Sequence, residues 1–240
     1  TPVACGAVDN TCMALGARGL EEGVVYTSLG SSSWIAVTSK TPVIDLKTRP
    51  FVFAHAKKGY YTSAVSIFSA GNSFRWIRDR LLMDYPADTD TYDVMNKMAE
   101  NTPPGSHGVL FNPSLAGGSA QEPSPDLKGG FMGLSLGNTR EDLVRATMEG
   151  VAMALRKTLD ILKSQVEIKG DMLLCGGCSK SAIWRRIFAD IYNMPVIKTN
   201  IDQDAASLGA AALAANACGL WYGYDRIHEI HKLEDSLVPD

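Results

Sequence analysis

The sequence lacks several features that would mark its class at once. It has no uninterrupted apolar run of the roughly 18 residues that a membrane-spanning helix needs, and its first residues lack the basic and apolar regions of an export signal. Neither a membrane partner nor export is expected. Cysteine is sparse: Cys5, Cys12, Cys175, Cys178 and Cys218 are an odd number scattered over 240 residues, which is not a disulfide framework. A reducing cytoplasm fits that usage. Charge of one sign is lacking too, with 23 basic against 26 acidic residues and no basic stripe interleaved with aromatics. Nucleic acid is therefore not an expected partner. His55, His107, His228 and His231 have neither triad nor metal-ligand spacing, and His228 and His231 read as surface positions on a terminal helix. An initiating methionine is missing as well. The chain opens on Thr1-Pro2-Val3-Ala4-Cys5-Gly6, which reads as entry into a strand and suggests a piece of a longer protein.

What is present supports a folded α/β domain. An apolar content of 45% over this length can bury a substantial core, as one domain with at most a side lobe. Val24 to Ser28 and Trp34 to Thr38 are short β-branched or aromatic runs joined by Leu29-Gly30-Ser31-Ser32-Ser33, the pattern of a hairpin. Phe51 to Ala56 and Tyr60 to Phe68 flank Lys57-Lys58-Gly59 in the same way, so the first third reads as an antiparallel meander. Ser69-Ala70-Gly71-Asn72 then opens a helix through Leu82, with Phe74, Ile77 and Leu81 at helical spacing. A short helix falls near Tyr92 to Glu100, and Pro113 to Lys128 is a long loop. Asn138 with Glu141 three residues on forms a capping box for a long helix to about Lys163. Strand Asp171 to Cys175, helix Ser181 to Tyr192, strand Val196 to Thr199 and helix Asp204 to Cys218 then alternate, as parallel α/β packing requires.

Three stretches carry candidate chemistry. In Leu174-Cys175-Gly176-Gly177-Cys178-Ser179-Lys180-Ser181 the two cysteines have redox or zinc spacing. No second Cys-x-x-Cys or His-x-x-x-His completes a zinc site, and the motif sits late in the chain for a thiol oxidoreductase. The stretch also reads as a buried strand, a Gly-Gly turn and a serine-capped helix start, either an ordinary tight turn or a nucleotide-sized seat lined by backbone N–H groups. The turn at Gly30, Ser31 and Ser32 can surround a phosphate with hydroxyls and amides, although it lacks the lysine of a P-loop. Asp9, entering a helix of small residues, is either an N-cap or a general base for a substrate hydroxyl.

The order and wording of these stretches resemble the FGGY family of carbohydrate kinases. Gly129-Gly130-Phe131-Met132-Gly133-Leu134, followed by Asp142-Leu143-Val144-Arg145-Ala146-Thr147-Met148-Glu149, is similar to that family's second signature. Gly176-Gly177, Ser179, Trp184, Ala189-Asp190, Pro195-Val196 and Ala206-Ser207-Leu208-Gly209-Ala210-Ala211 resemble its adenosine-binding stretch and closing helix. The resemblance implies a ribonuclease-H-like, actin-like ATPase domain, α/β with a mixed sheet, and the C-terminal half of a two-domain kinase. Residues 1–240 would then form the nucleotide-binding domain. It implies ATP and Mg²⁺ as cofactors, and a sugar or polyol held jointly with an N-terminal domain absent from this chain; a homodimer is compatible with it. By position, Asp9 matches the catalytic base. Gly30, Ser31 and Ser32 match the phosphate turn, Ala70 and Gly71 a second turn beside the nucleotide, and Gly176, Gly177 and Ser181 the adenine and ribose border. Arg75, a helical turn after Gly71, is a candidate phosphate contact or an exposed helix residue. Two departures are Cys-Gly-Ala-Val-Asp before the base and Gly-Ser-Ser-Ser-Trp in the hairpin. Both keep the glycine, hydroxyl and acid that the chemistry needs. The loop Pro113 to Pro123 lacks the Gly-Glu-Arg-Thr-Pro wording of xylulokinase-like members, which leaves the sugar open.

Overall fold

The computed structural model describes residues 3–240. In chain order its elements begin with α1 (Asp9–Gly16), β1 (Val25–Leu29), β2 (Ser33–Ser39), β3 (Phe51–Ala54) and β4 (Tyr61–Ile67). They continue with α2 (Gly71–Leu81), α3 (Thr91–Asn101), β5 (Leu110–Asn112), β6 (Gly130–Met132) and α4 (Arg140–Lys163). The last third holds β7 (Met172–Cys175), α5 (Ala182–Tyr192), β8 (Val196–Thr199), α6 (Ala205–Ala217), α7 (Arg226–Ile230) and β9 (Leu233–Leu237). The strand expected at the start of the chain is not formed: residues 3–8 are irregular, and residues 1–2 lie outside the description. Both edges of β1 are already taken, by β2 and β7, so no central edge was open to it.

The main sheet has seven strands in the order β3-β4-β2-β1-β7-β8-β9. The first four strands pair antiparallel as expected, but not as a meander. β4 lies beside β2, with Ser33 opposite Ile67, and β3 is pushed to the edge. Burial explains the exchange. β4 is buried from Thr62 to Val65, whereas β3 leaves Phe51, Val52 and Ala54 exposed. The strand that both layers can cover takes the interior place. β7 runs parallel to β1, with Thr27 beside Leu174, and β8 runs parallel to β7. The alternation of the last third is therefore the parallel packing it suggested.

Strand side chains alternate between two layers. Val25, Leu29, Met172 and Leu174 face α2, α4 and α5, where Phe74, Val151, Leu155, Trp184 and Phe188 build the larger core. Tyr26, Leu173, Cys175 and Ile197 face the other way, onto Met13 and Ala14 of α1, Ala17 just after it, and Ala205 of α6. The long helix starts one residue later than its expected box. The Thr139 N–H donates to Asp142 at 2.9 Å, while the Asn138 side chain instead accepts the Ser135 N–H at 2.7 Å. β5 and β6 form a small antiparallel ladder around the long loop, which contains one short 3-10 turn, Ser114–Ala116.

The C-terminus differs from expectation. α7 ends at Ile230, and the chain adds β9 antiparallel to β8. His231 is not a surface residue. Its Nδ1 lies 2.8 Å from Thr199 Oγ1 and its Nε2 lies 2.7 Å from the Gly16 carbonyl, tying β8 to the end of α1. Burial holds this imidazole below its ordinary pKa.

Candidate nucleotide site

Three turns meet beyond the carboxyl end of β1, where ligands seat in open α/β sheets. The first is the β1–β2 hairpin. Its Gly30 N–H donates to the Ser32 carbonyl at 3.0 Å, and among the described residues the amides of Ser31 and Ser32 have no backbone partner. The second is the start of α2, which has no side-chain cap. The hairpin caps it instead: the N–H groups of Ala70 and Asn72 donate to the Ser31 carbonyl at 3.0 Å each, and that of Gly71 donates to the Gly30 carbonyl at 2.9 Å. A Cβ on Gly71 would stand 2.5 Å from the Gly30 oxygen, so only glycine lets the two turns touch. The helix amides are thereby consumed inside the protein, and the hairpin amides are the ones left for a ligand.

The third turn follows β7. Gly176 has φ 93°, a left-handed conformation natural to glycine, and lies against the Leu29 backbone. Its N–H donates to the Asp202 carbonyl at 2.8 Å. Gly177 faces open space. Ser181 then caps α5, accepting the Trp184 N–H at 3.3 Å, as its place in the sequence suggested. Ser179 has a different role, donating to the Gly176 carbonyl at 2.7 Å and closing the turn.

Between these turns and α3 lies a cleft of about 600 Å³. Of the residues singled out in the sequence, Gly30, Ser31, Gly71, Arg75, Gly177 and Ser181 line it. Gly176 and Ala70 stand behind and shape it, and Ser32 is not on its wall. Arg75 is exposed and donates to Asn72 Oδ1 at 2.8 Å, leaving the rest of its guanidinium toward solvent. Asp9 is outside the cleft. It is exposed in the first turn of α1, and its carboxylate accepts from the Asn10 N–H at 2.7 Å and the Asn10 side-chain amide at 3.1 Å.

Sequence reasoning missed the wall supplied by α3: Asp90, Tyr92 and Asn96. Tyr92 stacks on Phe74 at 5.8 Å, Phe74 meets Trp184 at 4.9 Å, and the Arg78 guanidinium lies 4.7 Å over Tyr92. The apolar spacing of Phe74 and Ile77 had marked the helix, but nothing local marks which side of α3 meets it. The indole N–H of Trp184 is buried without an acceptor. Cys175 is buried and Cys178 is half-buried on the cleft wall. Burial pushes each thiol up to about 12, the reverse of what an attacking thiolate needs.

The donors and shape fit a nucleotide, with free backbone amides at one end and an aromatic, carboxamide-bearing wall at the other. A resident metal is not fitted. Among the described residues no three His, Cys, Asp or Glu side chains could hold one, and the one carboxylate on the cleft wall, Asp90, already accepts the N–H groups of Tyr92 and Asp93.

Residues 25–218 match the model of the FGGY family of carbohydrate kinases, C-terminal domain. The chain belongs to that family. It is 29% identical to a gluconokinase of Bacillus subtilis, over 96% of this chain and 46% of the relative. It is 30% identical to a xylulose kinase of the same organism, over 92% of this chain and 43% of the relative. The crystal structure of xylulose kinase from Rhodospirillum rubrum superposes with a TM-score of 0.85 at 26% identity, covering 97% of this chain and 46% of that one. The chain thus spans about half the length of the relatives it matches, and its mixed α/β sheet is the actin-like ATPase fold of the FGGY C-terminal domain. No helix among the described residues is long and apolar enough to cross a membrane.

Proposed function

We propose that this chain is the nucleotide-holding, base-bearing half of an ATP-dependent carbohydrate kinase. The observation that carries the reading is the meeting of the hairpin, the α2 start and the Gly176-Gly177 turn on one cleft, with the hairpin amides of Ser31 and Ser32 unpaired. Triphosphate oxygens would take those amides, which neutralise charge at no reorganisation cost. Arg75 stands on the same wall to add a cation. Mg²⁺ would arrive on the nucleotide, held by phosphates, water and carboxylates contributed from beyond this chain.

Asp9 is the base in this reading. Its exposed carboxylate takes the proton of a sugar or polyol hydroxyl as the new O–P bond forms and the bond to the β-phosphate oxygen breaks, leaving ADP. The sugar is held jointly with the N-terminal half of the longer protein, the chain spanning only about half the length of its relatives. Gluconate and xylulose enzymes are equally similar, at 29% and 30% identity, so the acceptor is proposed only as a sugar or polyol. The separation of Asp9 from the cleft supports a second reading, a nucleotide-binding or assembly module without chemistry of its own.

Calorimetry with Mg-ATP tests the first step, with binding expected between micromolar and millimolar dissociation constants. Absence of binding removes the cleft assignment. Joining the chain to the N-terminal half of a relative then separates the two readings. Sugar phosphorylation that is lost in Asp9→Asn, with nucleotide binding kept, supports the base, and equal turnover in both forms removes Asp9 from the mechanism.

A further inference from the structure

The α3 wall of the cleft contains a carboxamide whose orientation is set by the protein. Ser181 Oγ accepts the Trp184 N–H at 3.3 Å and donates to Asn96 Oδ1 at 2.8 Å. The oxygen end of the Asn96 amide faces Ser181. One lone pair of Oδ1 remains, and among the described residues the Nδ2 group has no partner, although Asn96 is half-buried and lines the cleft. A half-buried carboxamide with a free donor beside a free acceptor is matched by a group offering the complementary pair.

Tyr92 lies one helical turn before Asn96, pinned in place by Phe74 and Arg78. A flat aromatic wall next to an oriented amide is the arrangement that holds a planar heterocycle and reads its edge. Adenine presents its exocyclic N6–H beside a ring nitrogen acceptor, which an asparagine amide meets with two hydrogen bonds. Guanine and hypoxanthine place an oxygen where adenine has N6–H, setting it against the Asn96 Oδ1 lone pair.

We infer that Asn96 is the residue that selects the nucleotide base, pairing with the edge of adenine from α3 while Ser181 holds its amide in register. The inference rests on the cleft being the nucleotide site. It adds a specificity-determining side chain from an element that carries none of the motif residues.

The test is calorimetric titration of the chain with Mg-ADP and with Mg-IDP, whose hypoxanthine lacks the N6 amino group. The wild type is expected to bind ADP about tenfold or more tightly than IDP. Asn96→Leu should lower ADP affinity to the IDP level and leave IDP unchanged. Asn96→Asp, which keeps the acceptor that meets N6–H and opposes the hypoxanthine oxygen, should still bind ADP more tightly than IDP. Melting temperatures close to wild type in both variants are the check on folding. Equal affinity for ADP and IDP in the wild type, or a variant that weakens both nucleotides alike, overturns the role of Asn96. If neither nucleotide binds the wild type, the cleft assignment fails first and this inference goes with it.

Discussion

Gly16 and Gly209 face each other where α1 crosses α6, and each has the other helix's backbone where a side chain would be. A Cβ on Gly16 would fall 1.7 Å from the Ala205 carbonyl oxygen, and a Cβ on Gly209 would fall 1.9 Å from that of Cys12. The helix that carries Asp9 is therefore seated backbone to backbone on its neighbour. His231 adds a second tie at the Gly16 carbonyl.

Gly209→Ala follows directly. Alanine raises helix propensity by about 1 kcal/mol, but the atoms it strikes are backbone and cannot turn aside. Overpacking costs of about 1–3 kcal/mol are the usual scale, and a rigid contact sits at the upper end or above. A net loss of roughly 2 kcal/mol is expected, which thermal unfolding would read as a fall of about 4–8 °C in Tm. An unchanged or raised Tm would mean that the two helices separate freely.

A second prediction concerns Glu149 and Arg145, which are paired at 2.7 Å with side chains only 8% and 7% exposed. Glu149 also accepts the Gly105 N–H at 3.1 Å and the Ser106 hydroxyl at 3.0 Å, while Arg145 donates to the Ala99 carbonyl at 2.7 Å. The pair thus anchors the turn in which Ser106 and His107 hold positive φ. Glu149→Ala leaves a buried guanidinium without its countercharge, and about 3–5 kcal/mol of stability should be lost in urea unfolding. Replacing both residues by apolar ones of similar volume should cost less than the single change.

His55 sets a pH dependence. Burial, with the Lys57 charge adding to it, pushes its pKa down to about 4, and its Nδ1 accepts the Lys57 N–H at 2.9 Å. The unfolded imidazole titrates near its ordinary 6.5. Between those values the unfolded chain binds the proton and the folded one does not. Stability from His55 is therefore complete above about pH 6.5 and falls as the pH drops toward 4, by up to about 3 kcal/mol. Unfolding free energies of the wild type and His55→Phe, measured from pH 7 to pH 4, should differ in slope over that window. Parallel curves would show that His55 is not the group responsible.

The parts of the fold visible in the sequence are those set by local chemistry. Gly176-Gly177 followed by Ser181 reads as a strand end, a turn and a capped helix because each residue acts within a few positions of itself. The exchange of β3 and β4 is different in kind: it depends on which strand both layers cover, and that is decided by α4 and α1. β9 was hidden because Leu233–Leu237 is short and charged, and pairs only with a β8 already in place. The α3 wall was hidden for the same reason. Tyr92 and Asn96 look like the solvent side of a helix until Ser181, 85 residues away, bonds to Asn96. The role proposed for Asp9 rests on the family resemblance, since an exposed acid at a helix start has no local mark of chemistry.

Cys178 supplies the last prediction. Its thiol is pushed up to about 12 by burial, so little thiolate exists near neutrality and alkylation by iodoacetamide should be slow. Cys5 and Cys218 are exposed and should react first. Cys178 nonetheless lines the cleft, its sulfur beside Gly71 of the same wall. An adduct on this cleft-wall sulfur is expected to occupy cleft space. Protein alkylated at Cys5 and Cys218 alone should bind nucleotide as well as unmodified protein, and binding should disappear in step with slow labelling of Cys178 followed by mass spectrometry. Bound Mg-ADP should slow that labelling further. Full labelling of Cys178 with binding retained would place the nucleotide elsewhere on the protein.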